Sequence, residues 1–168
     1  MDASASERKP EAGEGGQVDA LPLGYPAVTP HLVMSDCGRA VLFYRRALGA
    51  VELYRLRTRD GRIAHAELRI GDSRLTISDE APEWGSKSAR SYGGSPTVLR
   101  VYASNVEVVA SRFVKAGGII VTPLRNQFYG DLSGQFQDPE GYRWILAQRV
   151  ENVAPEEMVR RMPNLSIG

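Results

Sequence analysis

The sequence predicts an α+β fold: two tandem βαβββ modules forming a curved mixed sheet around a shared cleft, with the helices on the outside. Three observations carry this expectation. The stretch from Tyr25 to Gly49 reads as strand, cap, helix and stop. The same plan returns sixty-nine residues later, from Thr97 to Gly118, and a repeat of that kind marks a duplicated structural unit. After each helix come short runs with the two-residue alternation of half-buried strands, separated by Gly- and Asp-rich turns.

In the first unit Val28 to Met34 is an apolar strand, and Ser35-Asp36 supplies side-chain oxygens that cap free helix N–H groups. Ala40, Phe43, Tyr44, Ala47 and Leu48 share one helical stripe, and Gly49 suits the left-handed residue that ends a helix. Val51 to Leu56 is a strand and Arg59-Asp60-Gly61-Arg62 a tight turn. Ile63 to Ile70 then alternates, with Ala64, Ala66, Leu68 and Ile70 on one face and His65, Glu67 and Arg69 on the other. Gly71-Asp72-Ser73 turns the chain into Arg74 to Ser78.

The second unit repeats this with Thr97 to Ala103, the Ser104-Asn105 cap and a stripe of Val106, Val109, Ala110 and Phe113. Ile119 to Thr122, Gly134 to Gln137 and Tyr142 to Gln148 follow, the last two joined by Asp138-Pro139-Glu140-Gly141. A constant offset pairs His31 with Arg100 and Asp36 with Asn105. Residues 1–22, rich in Ala, Ser, Glu and Gly, read as a disordered tail. Residues 23–79 and 97–150 are then the two modules, forming one domain of about residues 25–150. The Gly/Ser/Pro-rich residues 80–96 are a linker or flap kept packed by Trp84 and Tyr92, and residues 151–168 hold a short helix opened by Pro155-Glu156-Glu157.

The totals exclude several function classes. Lys and Arg number 21 against 20 Asp and Glu, well mixed, so no nucleic-acid partner is expected. No apolar run is long enough to cross a membrane, and the charged N-terminus is unlike a secretory signal. The single cysteine, Cys37, excludes an internal disulfide and fits a reducing, cytoplasmic setting. Its place in the first helical turn gives two readings, a thiol activated by the helix dipole or a small residue near the cap.

The segments YPAVTPHLVMSD, FYRRALGA, HAELRIGDSRLTISDE, GGSPTVLRVY, QFYGD and DPEGYRW, in that order, resemble the vicinal-oxygen-chelate superfamily of glyoxalases, bleomycin-resistance proteins and dioxygenases, most closely its PhnB-like members. The resemblance implies a small-molecule ligand or substrate and a homodimer. It also implies that metal ligands, where relatives have them, would fall on Thr29, Thr76, Val98 and Ile145. None of these four is His, Asp or Glu, so no metal is expected at the usual position and no cofactor is expected at all.

Candidate site residues lie on the strand faces turned away from the helices. His65, His31 and Glu67 are candidates for acid–base chemistry, or for a displaced two-histidine, one-carboxylate metal site. Arg100 is the candidate anion partner, with Tyr102, Thr29, Thr76, Phe136, Tyr129 and Trp144 as candidate binding residues. Three functions stay open on these residues: a metal-independent lyase, isomerase or tailoring enzyme; a drug-sequestering protein of the bleomycin-resistance kind; and a metalloenzyme with a displaced site.

Overall fold

The computed structural model describes residues 20, 22 and 24–168; nearly all of the expected N-terminal tail lies outside them. The order is β1 (His31–Met34), α1 (Cys37–Leu48), β2 (Val51–Arg57), β3 (Ile63–Ile70), β4 (Ser73–Asp79), β5 (Val98–Tyr102), α2 (Val106–Lys115), β6 (Ile119–Asn126), β7 (Asp131–Gln137), β8 (Arg143–Arg149) and α3 (Pro155–Arg161). The two sheets have the matching orders β1-β4-β3-β2 and β5-β8-β7-β6. In each, the first strand lies parallel to the last and the other pairings are antiparallel. The duplicated βαβββ plan is therefore present.

The caps work as their residue types dictate. Asp36 accepts a hydrogen bond from the Arg39 N–H at 2.9 Å, and Asn105 accepts one from Val108 at 3.1 Å. Gly49 ends α1 at φ +68°, a left-handed conformation that costs a glycine little. The first strand is shorter than expected because Pro30 has no N–H to donate; its carbonyl still accepts from the Thr76 N–H at 3.0 Å.

The two module helices cover one side of the sheets. They meet: Phe43 of α1 packs edge-on against Phe113 of α2 at 5.0 Å, and Tyr44 lies 5.4 Å from Trp144. Asp138 holds this seam. Its Oδ2 accepts from the Tyr44 hydroxyl at 2.7 Å and the Trp144 indole at 2.8 Å, while Oδ1 accepts from the N–H groups of Glu140 and Tyr142. Burial raises the Asp138 pKa despite these donors. Two residues on, Glu140 accepts from the Ser35 N–H at 2.6 Å, and the Tyr142 hydroxyl exchanges hydrogen bonds with the N–H and C=O of Val33. The β7–β8 turn thus satisfies an edge that β1 would otherwise leave open.

The inter-module loop differs from expectation. Trp84 and Tyr92 are exposed, Trp84 by 87%. The loop is fixed instead by polar contacts, because Glu80 Oε2 accepts from the Ser88 N–H at 3.0 Å and the Ser91 hydroxyl at 2.7 Å. Cys37 is buried, and burial, followed by the nearby Asp79 carboxylate, pushes its thiol pKa up to about 12. Among the described residues no helix is long and apolar enough to cross a membrane.

Candidate functional site

Register across the first sheet sets one row of side chains from β1 to β2: His31, Thr76, Glu67 and Tyr54. A neighbouring row carries Ser78 and His65 on the same face. His31 sits between two hydroxyls, with Nδ1 2.9 Å from Thr76 Oγ1 and Nε2 3.2 Å from Ser78 Oγ. Desolvation, then the neighbouring His65, lowers its pKa below the ordinary imidazole value. His65 is half-buried, its Nε2 3.3 Å from the Tyr54 hydroxyl. Glu67 is fully buried and already engaged, bonded to Tyr25 and Arg74. Burial alone would raise its pKa, but the hydrogen bonds from Tyr25 and Arg74 outweigh it and hold the carboxyl below its usual range. The bond to Glu67 in turn pushes the Tyr25 hydroxyl up to about 12. Arg74 also stacks over the Tyr25 ring at 4.4 Å and donates to the Gly24 carbonyl at 2.9 Å.

The second sheet carries a different set on the matching face. Arg100 Nη1 lies 3.1 Å from Asp131 Oδ2 and 3.2 Å from the Tyr102 hydroxyl, which itself donates to Asp131 Oδ2 at 2.9 Å. Arg149 Nε lies 3.0 Å from Asp131 Oδ1, an ion pair outside hydrogen-bond geometry, and its Nη1 donates to the Tyr129 carbonyl at 2.9 Å. The Arg100 guanidinium lies 5.8 Å from the ring centres of both Tyr102 and Tyr129. Gly130, at φ +92°, lets this corner close, since a Cβ there would stand 2.2 Å from the Glu151 carbonyl oxygen.

The fold therefore gathers His31, His65, Glu67 and Thr76 in one group and Arg100, Tyr102 and Tyr129 in another. Phe136 and Trp144 belong to neither. Both are buried on the helix side, Phe136 against Phe113 at 5.6 Å. Trp144 faces the helices by strand parity, being next to Ile145, whereas Phe136 does so through a one-residue slip. His31 and Arg100 keep the sixty-nine-residue offset through their pairings with Thr76 and Ile145, but Glu67 is matched by Gln135, not Phe136. A slip of one turns a side chain to the other face. Thr29 is half-buried ahead of β1, and it is His31 that pairs with Thr76.

Sequence reasoning missed Tyr25, Tyr54, Arg74, Ser78 and Arg149 as site residues, and Asp131 as more than a turn residue. Parity along β8 gave a signal for Arg149, four residues from Ile145 on the same face. A groove of about 660 Å³ beside β5 is lined by Arg74, Arg100 and Tyr102 but by none of His31, His65 or Glu67.

The residues at the family's metal positions do not fit a metal. Thr76 is spent on His31 and the Pro30 carbonyl, while Val98 and Ile145 offer no donor. Nor do His31, His65 and Glu67 form a substitute. Among the described residues, no three His, Cys, Asp or Glu side chains are placed to hold an ion.

Paired βαβββ modules with polar faces turned from the helices define a class, and the comparisons agree. The family model of the Glyoxalase/Bleomycin resistance protein/Dioxygenase superfamily matches residues 26–146, and the chain belongs to that superfamily. It is 37% identical over 146 residues to the uncharacterized protein Rv0887c of Mycobacterium tuberculosis, covering 85% of this chain and 86% of that one. Among solved structures, TioX from Micromonospora sp. ML1 is similar at 27% identity and a TM-score of 0.58, covering 73% of this chain and 97% of TioX. The fosfomycin resistance protein FosX from Listeria monocytogenes, solved with manganese(II) and sulfate, shares the fold at 16% identity and a TM-score of 0.57, covering 81% of this chain and 96% of FosX.

Proposed function

We propose that this chain is a cytoplasmic small-molecule enzyme, a lyase or isomerase that moves protons with His31 and His65 and without a metal. The observation that carries the reading is the histidine pair on one polar face. His31 lies between two hydroxyls and His65 beside one, and the adjacent carboxylate is engaged by Arg74 and Tyr25. A lowered pKa keeps His31 neutral near pH 7, the form that accepts a proton. In the proposed cycle one imidazole takes a proton from the substrate and the other returns one elsewhere on it.

The protein would act as a homodimer, the first sheet face of one copy closing against the second sheet face of its partner. Exposed apolar side chains on the outer strands support this, with Leu53, Tyr54 and Leu56 on β2 and Ile119 and Ile120 on β6. A second reading, sequestration of a flat aromatic drug, is favoured by the tyrosines Tyr54, Tyr102 and Tyr129 on the two faces. The arginines beside them disfavour a cationic drug.

The test is proton exchange in D₂O with chelator present, followed by NMR over a panel of 2-oxo acids and hydroxyketones. His65→Ala should lower exchange by about 10²–10⁴ while the melting temperature holds. Exchange that survives unchanged in His65→Ala and His31→Ala would remove the enzyme reading and leave the binding one.

A further inference from the structure

We infer that Arg100 and Arg149, braced on Asp131, form an oxyanion subsite, and that the ligand carries a phosphonate, phosphate or carboxylate on a small organic body. The inference rests on the reading that the sheet faces bind a small molecule, and it names that molecule's chemistry.

Charge balance makes the argument. Both sheet faces contain a fully buried carboxylate, Glu67 in one and Asp131 in the other. Glu67 meets a single arginine, Arg74, whose side chain is 21% exposed and is spent on Glu67, the Gly24 carbonyl and the Tyr25 ring. That cluster is neutral and saturated. Asp131 meets two arginines, whose side chains are 37% and 47% exposed. One carboxylate cannot neutralise two guanidiniums, so a full positive charge remains at the surface.

Register adds to the excess. Arg143 and Arg149 alternate with Ile145 and Ala147 on the same face of β8, and Arg125 pairs with Ser133 across β7. Arg100 makes its bonds to Asp131 and Tyr102 through Nη1, with Tyr129 as a further hydrogen-bonding neighbour, and its 37% exposed side chain leaves part of the planar fork open to an oxyanion. Tyr102 and Tyr129 beside it give a flat apolar wall for the organic body. Asp131 is a positioning residue here: it fixes two cations that would otherwise repel each other.

The experiment is calorimetric titration of the full chain with phenylphosphonate, at constant ionic strength, against its neutral dimethyl ester. Phenylphosphonate should bind and the ester should not. Arg149→Gln and Arg100→Gln should each weaken binding about tenfold or more, and Arg149→Lys should fall between. If anion binding holds but proton exchange fails, the enzyme reading falls and the subsite stands. If Arg149→Gln, with its melting temperature unchanged, binds phenylphosphonate as the wild type does, or if the ester binds equally well, the inference is overturned.

Discussion

The two modules share a backbone plan and differ in what they do with it. On the first sheet face, titratable imidazoles stand among hydroxyls, and the buried carboxylate is closed off by one arginine and one tyrosine. On the second, groups that stay charged at any working pH surround a buried aspartate without being neutralised by it. The two scaffolds match in plan, and their side chains place imidazoles with hydroxyls on one face and guanidiniums around an aspartate on the other. The helix sides diverged too. Leu68 faces Leu75 across β3 and β4, where the second module sets Phe136 against Trp144.

That last contrast is the easiest to break. Phe136→Ala should destabilise the fold by about 3–5 kcal/mol, the range for a large aromatic lost from a core. Thermal or denaturant unfolding measures it. A cost within about 0.5 kcal/mol, typical of surface positions, would return Phe136 to the cleft face and restore an unbroken sixty-nine-residue register.

A smaller effect separates the two faces by pH. His31 has its pKa lowered in the folded state, so on acidification the unfolded chain binds the proton first. Stability should be level above about pH 7 and fall as pH drops through about 6.5, the unfolded histidine value. Glu67, with its pKa also lowered, adds a further loss only in more acidic solution, below the ordinary carboxyl range. His31→Gln should therefore flatten the unfolding free energy between about pH 7 and 5; a slope that persists in this variant would assign it to another group.

Much of this architecture was legible in the residues. The caps at Asp36 and Asn105, the stop at Gly49 and both helical stripes follow from local chemistry that tertiary context did not override. The pairing of His31 with Arg100 followed from the repeat. What the repeat hid was its own irregularity: the β7–β8 turn has one residue more than its counterpart, and that residue moved Phe136 from one face to the other. Asp138-Pro139-Glu140-Gly141 was readable as a turn, but its role in bonding Tyr44, Trp144 and Ser35 depends on a contact between modules that no local pattern encodes. Asp131 was hidden for a similar reason. Next to Gly130 it reads as a turn residue, and only the burial of its carboxylate between two arginines distinguishes it.

The central claim is that the histidine face and the arginine face are two halves of one ligand site. The chain contains two histidines, both on the first face, so a tag-free protein gives two resolvable imidazole signals by proton NMR. The direct measurement is their titration with and without saturating phenylphosphonate. An oxyanion held by Arg100 and Arg149 of a facing copy favours the charged imidazole, so the pKa of His31 should rise on saturation, and Arg149→Gln should abolish the rise. Two titration curves left unmoved while the anion is fully bound would place the two faces in separate sites and contradict the account.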